Sequence, residues 1–184
     1  MRIPASITHC YEGSGRIQSG LAEMIPLEIG NLAVSHPPDW GLALGVSTAG
    51  FAASTFTDTL DARSHVRKFA YATLSEWDVT RRQGRDEILA VAWELAANAI
   101  QHALRTTTHH TRGTAWLGLV RKDGAVVCAV TDPSPSLPQR QPYRLLDETG
   151  RGLLLVTRLS TAWGWSVGPA DTKTVWARVP TRPW

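Results

Sequence analysis

Between Arg85 and Leu104 apolar residues recur at helical spacing around nearly the whole circumference, leaving one narrow polar stripe. Ile88, Ala92, Leu95, Ala99 and Ala103 form one row, and Leu89, Trp93, Ala96, Ile100 and Leu104 form a second. At about 3.6 residues per turn these rows adjoin, which predicts a helix buried on most of its sides. Glu87, Glu94, Asn98, Gln101 and Arg105 line the side that remains, facing either solvent or a polar cavity. Asparagine is avoided in mid-helix because its amide competes for backbone groups. Asn98, set among alanines and leucines, therefore points to a use for its side chain. A carboxylate and an amide carbonyl one turn apart on one face offer hard oxygen atoms suited to Mg2+ and its waters.

The surrounding pattern predicts what this helix packs against. Phe51–Leu60 reads as a strand, and Asp61 as the N-cap of a helix through Trp77 with Ala62, Val66, Phe69, Ala70 and Leu74 on its apolar face. Thr114–Val120 and Ala125–Thr131 read as strands joined by Lys122-Asp123-Gly124, a strong hairpin signal. Prolines 133, 135, 138 and 142 mark an irregular stretch up to Thr149. Gly150-Arg151-Gly152 opens a third helix running to about Ala162. Trp163–Val167 and Thr174–Val179 close the chain as strands around a Gly168-Pro169 turn. This order predicts an α+β fold, a mixed sheet with helices on one face. Residues 1–50 lack sustained periodicity and read as a poorly ordered or loosely packed extension, with the domain proper spanning 51–184.

Composition narrows the function classes. Hydrophobic residues make up 43% of the chain and charged residues 19%, with a net charge of +3, as in an ordinary globular protein. The basic residues are scattered and aromatics do not interleave with them, so direct nucleic-acid binding is not expected. Cys10 and Cys128 form neither a disulfide framework nor a metal-ligand spacing, and Cys128 sits in an apolar run. His102, His109 and His110 lack the carboxylate or cysteine that would complete a metal site. The start lacks a signal-peptide pattern, and Leu42–Ala53 is too short and glycine-interrupted to span a bilayer. A cytoplasmic protein without membrane contact is expected.

Glu94-Leu-Ala-Ala-Asn98-Ala-Ile-Gln-His102-Ala resembles the N-box of the GHKL ATPases (gyrase, heat-shock protein 90, histidine kinase, mismatch-repair protein). It is most similar to the form in anti-sigma-factor serine kinases of the RsbW type. Three later features resemble that family in the same order. Asp132, at the end of a strand, matches the aspartate that accepts the adenine amino group, and an acceptor-only carboxylate selects that donor over a guanine carbonyl. Gly150-Arg151-Gly152-Leu153 resembles the second glycine box, where glycines let backbone N–H groups reach phosphates at a helix N-terminus. Thr174, in Lys173-Thr174-Val175-Trp176, resembles the closing Gly-Thr strand whose hydroxyl joins the adenine aspartate, usually through water.

The resemblance implies a Bergerat-type two-layer α/β sandwich with a mixed, mostly antiparallel sheet. It implies ATP and Mg2+ as ligands, Glu94 as general base, Asn98 as the Mg2+ ligand, and Asn98, His102, Asp132, Gly150, Arg151, Gly152, Leu153 and Thr174 as the binding set. The implied activity is a serine/threonine protein kinase acting on, or sequestering, a transcription-regulatory partner such as a sigma factor or an anti-anti-sigma protein, with a homodimer as one possible assembly. The alternative is a non-catalytic ATP-binding module. A histidine kinase would need an upstream helix bearing its phosphoacceptor, and residues 1–50 show none. The sequence departs from the family where Pro133-Ser134-Pro135 replaces glycines, where the segment before Gly150 is short and glycine-free, and where Lys173 stands in place of a glycine.

Overall fold

Asp123 and Gly124 adopt left-handed backbone angles, with φ of 48° and 65°, which a two-residue type I′ turn requires. In the computed structural model, which describes residues 8–12, 50–105, 113–134, 136, 151–167 and 172–181, this turn joins β3 (Thr114–Lys122) to β4 (Ala125–Asp132). The remaining strands are β1 (Thr8–Glu12), β2 (Phe51–Thr57), β5 (Ala162–Val167) and β6 (Lys173–Pro180). They form one six-stranded sheet in the order β1-β5-β6-β4-β3-β2. Among the described residues all five pairings are antiparallel, so the mostly antiparallel sheet expected from the resemblance shows no parallel pair here. Thr8–Glu12, within the segment read as loosely packed, forms the outer strand against β5.

Among the described residues three α-helices make the second layer: α1 (Ala62–Glu76), α2 (Arg85–Ala99) and α3 (Arg151–Leu159). Asp61 precedes α1 but makes no capping hydrogen bond through its side chain. Its carboxyl instead takes a hydrogen bond from Thr59, which is the first cause of its lowered pKa. At the other end of α1, Arg121 donates to the Trp77 carbonyl at 2.6 Å, satisfying an acceptor the helix leaves open. Gly84, at φ 88°, turns the chain into α2, whose first turn carries Asp86 and Glu87 toward the positive end of the helix dipole.

The periodicity of α2 becomes its packing. Ile88, Val91, Ala92, Leu95, Ala96 and Ala99 are all at most 2% exposed, between α1, α3 and the sheet. Each large aliphatic side chain so buried contributes about 1.5–3 kcal/mol. The helix does not stay α to Leu104: Ile100–Leu104 form a π turn, with the Arg105 N–H donating to the Ile100 carbonyl at 3.1 Å. Strand alternation sets which side chains face the helices. Val126, Cys128 and Val130 of β4, and Val175, Ala177 and Val179 of β6, join the helices in the main core. Val127, Ala129 and Trp176 lie on the opposite face in a smaller cluster with Val120. Burial pushes the Cys128 thiol up to about 12, so it acts as a small apolar side chain. Among the described residues no helix is long and apolar enough to cross a membrane.

Candidate functional site

The polar stripe of α2 meets the first turn of α3. A Cβ placed on Gly152, the second residue of α3, would lie 2.6 Å from Glu94 Oε2 and 3.7 Å from Asn98 Oδ1. Only glycine leaves the Glu94 carboxylate its present place against that backbone. The first turn of a helix also carries N–H groups with no partner inside the helix, and here that turn lies beside both oxygens. Glu94 is half-buried, and burial raises its carboxyl above the ordinary glutamate value of 4.5, while the Arg63 guanidinium pulls it down. Arg63 itself stands over the Trp93 ring, 5.1 Å from the centroid. The far end of the stripe turns elsewhere: Arg105 donates from Nε to both carboxylate oxygens of Asp58, at 3.3 and 3.2 Å. A separate open cavity of about 580 Å³ lies there, lined in part by Asp58, Arg63, Trp93 and Arg105.

A second cluster of predicted site residues lies at the C-terminal end of β4. Asp132 continues the Val126-Cys128-Val130 alternation and so faces the helix layer, 2% exposed. Its partner across the sheet is Lys173. The Lys173 ammonium donates to Asp132 Oδ1 at 2.7 Å and to the Ser134 carbonyl at 3.3 Å, and Lys173 is 5% exposed. Burial raises the Asp132 carboxyl above its ordinary value of 3.8, against the downward pull of Lys173, a backbone hydrogen bond from Ser134 and the charge of His102. His102, an exposed residue of the mostly buried π turn after α2, is thus within electrostatic reach of Asp132.

Thr174 is not brought to this site. Adjacent residues of a strand point to opposite faces, and Thr174 lies with Trp176 on the face away from the helices. There its hydroxyl hydrogen-bonds to Thr131 at 2.8 Å. The residue joined to Asp132 is its predecessor, Lys173. Lys173 shares one face of β6 with Val175, Ala177 and Val179, and the register against β4 makes that the face of Asp132. Leu153 packs its side chain against the main core. Arg151 opens α3 through its backbone. Gly150, the proline-marked segment from 137 onward, His109 and His110, and the Gly168-Pro169 turn lie outside the described residues. Among the described residues no three His, Cys, Asp or Glu side chains converge on a metal position. A cation bound here would therefore rely on Asn98, Glu94 and oxygens of its own ligand.

Comparison with known proteins identifies the family of the domain that carries these residues. The family model described as the histidine kinase-like ATPase domain matches residues 56–178, about two-thirds of the chain. A similar solved structure is that of the RsbU and RsbW domains of Rv1364c from Mycobacterium tuberculosis, with a TM-score of 0.53 at 19% identity. The match covers 72% of this chain but only 33% of that one, so the likeness is one of fold. No curated protein matches. The matched segment runs from β2 through β6 and contains Glu94, Asn98, Asp132 and Gly152, and by this match the chain belongs to the histidine kinase-like ATPase domain family.

Proposed function

We propose that this domain binds Mg-ATP along the seam between α2 and the start of α3 and transfers the terminal phosphoryl group to a serine or threonine hydroxyl on a transcription-regulatory protein. The contact of Gly152 with Glu94 and Asn98 carries this reading. It sets two hard oxygens beside the open N–H groups of a helix start, the combination a polyphosphate and its cation require. Asn98 would hold Mg2+, which when bound neutralises charge on the phosphates during transfer. Arg151, Gly152 and Leu153, in the first turn of α3, would offer backbone N–H groups to the phosphates. Asp132 closes the site at the base.

Glu94 would take the proton from the attacking hydroxyl, and a pKa raised by burial suits a general base better than that of an ordinary exposed glutamate. A domain that only held nucleotide would have no need of a half-buried carboxylate at that point. The RsbW domain in the similar structure, together with the resemblance of the N-box, favours a sigma factor or an anti-anti-sigma protein as partner.

Titration calorimetry of the full chain with Mg-ATP is expected to show saturable one-to-one binding. Absence of binding with any nucleotide would overturn the proposal. Gly152→Ala separates the site from the fold. The clash falls on the far end of a flexible glutamate, and alanine is favoured over glycine within a helix by about 1 kcal/mol. The variant should therefore melt no lower than the parent while the displaced Glu94 carboxylate loses phosphoryl transfer. A large fall in melting temperature with turnover intact would show that Gly152 serves packing alone.

A further inference from the structure

The base end of the site differs from a lone aspartate. The Asp132 carboxylate is held by a fixed cation, and the two groups sit directly opposite each other in neighbouring strands. Their remaining hydrogen-bonding capacity follows from valence. An ammonium has three protons, and Lys173 commits one to Asp132 Oδ1 and one to the Ser134 carbonyl, leaving a third. A carboxylate offers about four lone-pair directions. Asp132 uses one for Lys173 and accepts a backbone hydrogen bond from Ser134, so it keeps acceptor capacity. The pair thus offers an acceptor and a donor side by side, where a carboxylate alone offers only acceptors.

The two purines present complementary pairs to such a device. Adenine carries a donor, its amino group, beside an acceptor, N1. Guanine carries an acceptor, its carbonyl, beside a donor, N1–H. A carboxylate alone rejects guanine because its carbonyl oxygen would meet a second acceptor. With Lys173 present, that oxygen would meet a donor while the guanine N1–H would meet Asp132. Adenine meets the same two groups in the opposite order. A hydroxyl or water at this place could turn its proton either way, but an ammonium only donates, so the donor position is permanent.

We propose that Lys173 is a base-reading residue, and that with Asp132 it makes the site accept guanine as well as adenine nucleotides. This rests on the nucleotide-binding reading of the same site and goes beyond its assignment to ATP. The test is titration of the full chain with Mg-ATP and with Mg-GTP, on the wild type and on Lys173→Thr, with circular dichroism establishing that the variant is folded at the temperature used. The wild type is expected to bind the two nucleotides within about tenfold of each other, whereas an acceptor-only site would separate them by roughly a hundredfold or more. Lys173→Thr should shift the ratio toward ATP by about tenfold or more, because the obligate donor facing the guanine carbonyl is gone.

Strict preference of the wild type for ATP overturns the proposal while leaving ATP binding intact, as does a ratio unchanged in a folded Lys173→Thr. Failure of the wild type to bind either nucleotide overturns the binding reading itself. Should the variant not fold, the wild-type ratio decides alone.

Discussion

Lys173→Met should lower the stability of the fold by about 3–5 kcal/mol, the cost of leaving one member of a buried ion pair without its partner. Methionine keeps the length and the apolar stem and removes only the charge. Asp132, 2% exposed, would then keep only the Ser134 backbone donor and the more distant His102 charge. The loss should depend on pH in a definite direction. Burial already raises the Asp132 carboxyl above 3.8, and Lys173 is the foremost influence opposing that rise. Without Lys173 the folded-state pKa moves further up. A carboxyl whose folded pKa exceeds its unfolded one contributes stability that is fully present below the unfolded value and is lost as pH rises through the folded value. Urea unfolding should therefore show Lys173→Met closer to wild type at pH 5 than at pH 8. The neutral double variant Asp132→Asn/Lys173→Met should recover much of the loss, since replacing both members of a buried pair is often nearly neutral. A deficit that is equal at both pH values, and unrelieved in the double variant, would show that packing and not charge holds this edge.

Lys173 also marks where sequence reading stops. The α2 helix was legible because its signal is local: two apolar rows and one polar stripe are properties of a single segment. The β3–β4 hairpin was legible for the same reason, since Asp123-Gly124 fixes its own turn geometry. The choice between Lys173 and Thr174 depends instead on register against β4. A slip of one residue sends every side chain of a strand to the other face. Here β4 is buried on both faces, so its composition does not reveal which side Asp132 occupies. The strand Thr8–Glu12 was illegible for a related reason. Its pairing with β5 is remote in sequence, and nothing in its five residues announces an edge strand. The meeting of Glu94 with Gly152 is likewise remote, and its closeness is a product of the packing of α3 on α2.

Glu94→Gln should reduce phosphoryl transfer by about 10²–10⁴ while Mg-ATP affinity, measured by calorimetry, changes little, because a general base acts on the transition state and not on nucleotide binding. Glutamine keeps the size and one carbonyl oxygen beside Asn98 but can accept no proton at that point. The wild-type rate should rise with pH through the Glu94 pKa, since the base works only when ionised. Burial places that acidic limb above 4.5. Arg63 opposes the burial, so Arg63→Met should move the limb to still higher pH without abolishing activity. This shift separates a base from a carboxylate that merely positions the cation, for which removal of Arg63 would change affinity for Mg-ATP and leave the limb in place. The three measurements also decide between an enzyme and a holding module. Turnover that survives in Glu94→Gln would remove Glu94 from the chemistry. Tight nucleotide binding with no transfer to any hydroxyl-bearing partner in the wild type would make the buried Lys173–Asp132 pair and the Gly152 seam parts of a site built to hold a nucleotide, with sequestration of the partner as its output.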